Sequence, residues 1–140
     1  MSDSAPSMPA NVDRVSVILV VEDEVLVRMV IADYLRDCGY RVFEAANVDE
    51  AKAVLTADTE VDLVFSDVQM PGASDGFELA SWIRTHHPGV AVILTSGWAG
   101  AADKARDLCH AGPVVPKPYQ HATVLRRIQG LLRKAGRAAP

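Results

Sequence analysis

Six residues draw attention because of what precedes them. Glu22-Asp23, Asp67, Thr95-Ser96 and Lys117 each follow a short run of β-branched or aliphatic residues. If those runs are strands of one sheet, three carboxylates, a pair of hydroxyls and one ammonium arrive at a single edge. Clustered carboxylates repel one another unless a cation offsets them, and a hard divalent metal bound through oxygen is such a cation. Each residue alone has an ordinary structural role: Asp23 could cap a first helix, Asp67 a turn before Pro71, Thr95 a fourth helix, and Lys117 could be a solvated loop cation. Four strand ends delivering such groups together favour chemistry.

The elements that must position them follow from periodicity. Val15–Val21, Arg41–Ala45, Val61–Ser66, Val90–Thr95 and Val114–Pro116 are predicted strands. Val27, Val30, Ile31, Tyr34, Leu35 and Cys38 fall on one face of a first helix, and Gly39 stands where a C-terminal cap belongs. Asn47 with Glu50, and Asp75 with Glu78, have the spacing of a capping side chain and its acidic partner. The helix begun at Asp75 should stop before His87-Pro88-Gly89. Ala102, Ala105, Leu108 and Cys109 suggest a shorter fourth helix, and Val124, Leu125, Ile128, Leu131 and Leu132 a fifth. The pattern is (βα)5, an α/β chain. Strands without polar alternation are buried on both faces, so the five-stranded sheet should be parallel and doubly wound, with prolines putting the last strand at an edge. Open parallel sheets bind ligands at the carboxyl ends of their strands.

With 140 residues the chain fits one domain, expected over residues 15–135 between a tail at 1–14 and a short tail at 136–140. The formal charge of −4 gives no reason to expect nucleic acid or an anionic membrane as partner. The longest aliphatic run, Val17–Val21, is too short to span a bilayer, and the first residues include Asp3 and lack a basic start, so a cytoplasmic location is expected. Cys38 and Cys109 read as free, largely packed thiols. His86, His87, His110 and His121 lack metal-ligand spacing.

From Val15 to about Lys134 the chain resembles the receiver domains of bacterial two-component response regulators. The resemblance rests on Val20-Val21-Glu22-Asp23-Glu24, Ser66-Asp67-Val68-Gln69-Met70-Pro71-Gly72 with Asp75-Gly76, Thr95-Ser96-Gly97, and Lys117-Pro118-Tyr119. It implies a flavodoxin-like receiver fold with strand order 2-1-3-4-5. It also implies that Asp67 is a phosphoacceptor, charged by a phosphohistidine on a histidine kinase or histidine phosphotransfer protein. By the same likeness Asp23, Asp67 and the Gln69 backbone carbonyl bind Mg²⁺, Glu22 helps indirectly, Lys117 neutralises charge, Thr95 is the switch hydroxyl, and Lys117-Pro118 is a cis peptide. Such a domain is a phosphoacceptor switch that assists its own phosphorylation and dephosphorylation. Its downstream partner would meet the fourth helix, fifth strand and fifth helix.

Two positions depart from the pattern. Many receivers carry an aromatic residue three positions before the lysine, where this chain has Val114; Trp98, three residues after Thr95, resembles an aromatic found there in a group of stand-alone receivers. The expectation is a stand-alone receiver, with the receiver module of a hybrid kinase as its variant. A haloacid-dehalogenase-type phosphatase would also use Asp67 as nucleophile, but needs a second aspartate where Gln69 stands. A dinucleotide module would need a glycine-rich turn where Glu22-Asp23-Glu24 would repel pyrophosphate.

Overall fold

A computed structural model describes residues 14–57, 60–72, 74–110 and 112–136. Residues 1–13 and 137–140 of the expected tails, and Ala73 in the loop before Asp75, lie outside the described residues.

Strands and helices alternate: β1 (Val17–Val21), α1 (Val25–Asp37), β2 (Arg41–Ala45), α2 (Val48–Thr56), β3 (Leu63–Asp67), α3 (Gly76–His86), β4 (Ala91–Ser96), α4 (Ala101–Asp107), β5 (Val114–Pro116) and α5 (His121–Lys134). The strands form one sheet in the order β2-β1-β3-β4-β5, every pair parallel. The expected α/β architecture is therefore the observed one, and the three-residue β5 is the predicted edge.

Successive side chains of a strand face opposite ways, and both faces are apolar here. Leu19, Val21, Val64 and Leu94 pack with α2, α3 and α4, whereas Ile18, Val20, Leu63, Phe65, Ile93 and Val115 pack with α1 and α5. On α5 the inward residues Val124, Ile128 and Leu132 are all but fully buried, each contributing about 1.5–3 kcal/mol relative to exposure. Among the described residues no helix is long and apolar enough to cross a membrane.

The caps show how local sequence stops and starts these elements. Asp75 accepts from the Glu78 amide while Glu78 accepts from the Asp75 amide, a complete capping box at α3. Asn47 accepts from Glu50, but the Glu50 carboxylate reaches the Ala46 amide and not that of Asn47. Gly39, at φ +101°, ends α1 in the left-handed region that glycine enters without strain.

Four expectations need correction. The inward face of α1 is Ile31, Ala32 and Leu35; Val27 and Val30 are exposed at 38% and 53%. The first turns of α1 are apolar on nearly every side, so periodicity could not select a face there. Residues Leu108 and Cys109 lie beyond the end of α4 and are exposed, and α4 buries Ala101 and Ala105 instead. The thiols are thus one half-buried and one exposed, not two packed. Arg14, expected in the tail, is tied to the domain by a 2.7 Å ion pair with Asp62, whose other oxygen accepts from the Val17 amide.

Candidate phosphoacceptor site

The carboxyl ends of β1, β3, β4 and β5 bring the predicted residues together. Parallel register sets Asp67 beside Thr95 and Thr95 beside Val115. Asp67 is 4% exposed and Glu22 also 4%, while Asp23 is the most open of the three acids. One carboxylate oxygen from each lies within 4.8 Å of the others. Asp23 does not cap α1, whose N-cap is Glu24 without any side-chain bond.

Lys117 is the one cation facing this cluster among the described residues. Its Nζ donates to Asp67 Oδ2 at 2.9 Å and lies 3.4 Å from Glu22 Oε1. A cis Lys117-Pro118 peptide follows β5, the Lys117 amide donates to the Ser96 carbonyl, and Tyr119 packs edge-on against Phe65 at 5.5 Å. The second oxygen of Asp67 accepts from the Gln69 amide at 3.2 Å, so the chain after β3 turns tightly around the carboxylate. Gly76 completes that turn: a Cβ there would stand 2.3 Å from the Asp67 carbonyl oxygen.

Electrostatics follow from this packing. Burial is the main reason the Glu22 carboxyl titrates above its usual range, opposed by the Glu24 amide and reinforced by the charge of Asp67. For Lys117 burial alone would lower the value, but hydrogen bonding and charge from Asp67, with Glu22 added, outweigh it and hold the ammonium above its usual value. Lys117 is therefore a fixed positive charge at neutral pH. Three carboxylates against one ammonium leave negative charge in excess, and Asp23 has no ion-pair partner among the described residues. All-oxygen donors in that state fit a hard divalent cation.

The Thr95 hydroxyl does not face Asp67. It donates to the Val115 carbonyl at 2.8 Å, in a fully buried position. Beyond it the Trp98 amide donates to Ser96 Oγ, and the Trp98 indole folds over Gly100, where a Cβ would meet the ring at 2.6 Å. Val114, in place of an aromatic residue, is partly buried against the core.

Two features of the site lie outside the residues expected from sequence. Arg28 donates to the Glu22 carbonyl and pairs with Glu44 at 3.2 Å, bracing the end of β1. Next to the site, a depression of about 580 Å³ is lined by Leu26, Val27, Val30, Pro118, Tyr119 and His121 with Glu24 and Lys117. The excess of valine, leucine and methionine over Val25 to Val30 is the available signal, and of these only Val27 and Val30 fit the face expected to be buried.

Comparison with known proteins agrees with this fold. The family described as response regulator receiver domain matches residues 18–129. The chain is 32% identical over 122 residues to the transcriptional regulatory protein ResD of Bacillus subtilis, covering 87% of this chain and 50% of that protein. It is 31% identical over 122 residues to the phosphate regulon transcriptional regulatory protein PhoB of Pseudomonas aeruginosa, covering 85% and 52%. It thus spans about half the length of the curated relatives it matches. Among solved structures, response regulator TrrA of Thermotoga maritima in complex with Mg²⁺ and BeF superposes with a TM-score of 0.74 at 29% identity, covering 84% of this chain and 99% of that one. A CheY-like receiver domain from Methanospirillum hungatei gives a TM-score of 0.80 at 23% identity, covering 88% and 98%, a likeness of fold. This chain belongs to the response regulator receiver domain family of two-component systems.

Proposed function

We propose that Asp67 accepts a phosphoryl group from a phosphohistidine of a histidine kinase or histidine phosphotransfer protein, and that its modification resets a partner-binding surface. The observation carrying this reading is the 2.9 Å contact of Lys117 Nζ with Asp67 Oδ2 among two further carboxylates. A carboxylate oxygen of Asp67 attacks phosphorus and the nitrogen–phosphorus bond breaks. The imidazole leaves with that electron pair and is neutral, needing no further proton if its other nitrogen is protonated. The product is an acyl phosphate on Asp67.

Phosphoryl transfer depends on positioning and on neutralising charge spread over the transferred oxygens. Lys117 supplies one positive charge at the acceptor. Asp23, Asp67 and the Gln69 carbonyl would hold Mg²⁺, with Glu22 assisting indirectly, and the ion would offset the remaining negative charge. The Gln69 amide would hold the Asp67 carboxylate, and the close packing of Gly76 its backbone, during attack.

The exposed apolar collar of α1 suits the incoming donor. Leu26 is 75% and Val30 53% exposed, unusual for large aliphatic side chains beside a charged site, and with Pro118 and Tyr119 they border the acceptor. After transfer, the Thr95 hydroxyl would exchange the Val115 carbonyl for a phosphoryl oxygen, drawing in the loop before α4. Such a switch works only if the new contacts exist in one state and not the other. The side formed by α4, β5 and α5 would carry the change to a downstream partner.

The test is transfer from a panel of autophosphorylated histidine kinases, with and without Mg²⁺. Wild type should gain phosphate that hydroxylamine releases, and Asp67→Asn none. Equal labelling of the variant would sink the reading. Leu26→Glu should slow transfer from a kinase while leaving labelling by a small acyl phosphate unchanged.

A further inference from the structure

Cations elsewhere in the described fold are engaged. Arg14 pairs with Asp62, Arg28 and Arg36 with Glu44, Arg106 with Asp103, and Lys117 with Asp67. Arg41, Lys52 and Lys104 lie over aromatic rings, and Arg84 holds the carbonyls of Leu108 and Cys109. Helix α5 differs in that its cations have no ionic or aromatic partner among the described residues, the one contact being a 3.3 Å hydrogen bond from Arg126 to the Thr123 hydroxyl. It carries Arg126, Arg127, Arg133 and Lys134 and no acidic residue, and none of the four has an ion-pair partner among the described residues. This concentration of positive charge occurs on a chain whose net charge is −4.

At about 100° per residue, the four side chains fall within a sector of about 120° opposite the buried Val124, Ile128 and Leu132. Gly130 lies near the middle of that sector. A Cβ on Gly130 would meet nothing within 4 Å, so no internal contact requires glycine. Glycine inside a helix is destabilising relative to alanine, and the fold gains nothing visible in return. A bare backbone framed by unpaired cations is suited to the close approach of another rod-like backbone bearing opposite charge.

We propose that the outer face of α5 docks a helix of an effector protein that carries carboxylates along one side, with Gly130 the point of closest approach. The inference rests on the reading that the α4, β5 and α5 side meets the downstream partner. The basic strip extends over about 12 Å of helix from Arg126 to Lys134, a length that one acidic helix crossing at Gly130 can match. Its apolar side is already spent on the core, and the rest of the surface bears net negative charge, which disfavours nucleic acid and an anionic membrane.

The probe is a synthetic alanine-based helix with glutamates along one side, titrated against the whole chain by fluorescence anisotropy. Controls are its glutamine counterpart, duplex DNA, and vesicles containing phosphatidylglycerol. The acidic helix should bind most tightly. Arg127→Glu with Arg133→Glu should weaken binding about tenfold or more. Gly130→Ala should weaken it about threefold or more while holding or raising the melting temperature. Failure of the acidic helix to bind overturns the proposal, as does equal or tighter binding of duplex or vesicles. Unchanged affinity in Gly130→Ala overturns it too, and so does self-association that the double charge reversal abolishes, since the occupant would then be a second copy. All variants should label at Asp67 like wild type from a small acyl phosphate; loss of labelling in wild type itself would count against the phosphoacceptor reading instead.

Discussion

Lys117 Nζ lies 2.9 Å from Asp67 Oδ2 although the two residues are 50 positions apart. The contact joins the central strand β3 to the edge strand β5, two places away in the sheet, and β4 between them presents Thr95. In the proposed function, an ammonium held so close would orient the acceptor and offset charge as a phosphoryl group arrives. Lys117→Ala should therefore lower the rate of labelling on the order of 10²-fold. Labelling by a small acyl phosphate measures this without any partner surface; a rate within twofold or so of wild type would exclude Lys117 from the chemistry.

Removing Mg²⁺ should have a comparable effect. With a chelator present, labelling of wild type should stop, and Asp23→Asn should need a much higher Mg²⁺ concentration to reach half its maximal rate. The excess of carboxylates over ammonium predicts this direction, because replacing an anionic carboxylate by a neutral amide weakens retention of a hard cation. Titration of the labelling rate against Mg²⁺ checks it.

Thr95→Val should cost about 1 kcal/mol of stability, since the Val115 carbonyl loses its hydroxyl donor in a buried position. Phosphate should still be accepted, because the hydroxyl faces away from Asp67 before transfer. What should disappear is the response: in a Trp82→Phe background, BeF with Mg²⁺ should change Trp98 fluorescence in the parent and not in the Thr95→Val protein.

Gly76→Ala tests whether the acceptor backbone is held by packing. The added methyl would meet the Asp67 carbonyl oxygen at 2.3 Å, and relieving that contact should cost about 1–3 kcal/mol. Urea denaturation measures the loss, and labelling should slow as well because Asp67 is displaced.

His110 gives a pH dependence away from the site. Its burial lowers its pKa below the usual value, with Arg84 acting the same way and the Pro113 carbonyl opposing. The unfolded chain therefore binds a proton more readily than the folded one. The associated stability is present above the ordinary histidine pKa and is lost as pH falls through the folded value. Melting temperature should drop between neutral and mildly acidic pH, and His110→Gln should flatten that part of the profile.

Much of this was legible in the sequence. The central aliphatic runs, without polar alternation, determined strands buried on both sides, hence a parallel sheet between two helical layers. Because such a sheet gathers its strand ends at one edge, Glu22, Asp23, Asp67, Thr95 and Lys117 could be placed together before any coordinates. The complete capping box at Asp75 was equally readable, since its geometry is local.

Tertiary structure decided what depends on orientation between distant segments. Val27 and Val30 have the apolar character of core residues, but the first turns of α1 stand beside the strand ends, with no sheet left to cover them. The direction of the Thr95 hydroxyl is set by the carbonyl on the neighbouring strand, and Trp98 turns back because Gly100 leaves room for its ring. Residue type fixes which groups can react. Only packing fixes which way they face, because a rotamer or a helix face is chosen by neighbours that the linear chain does not put side by side.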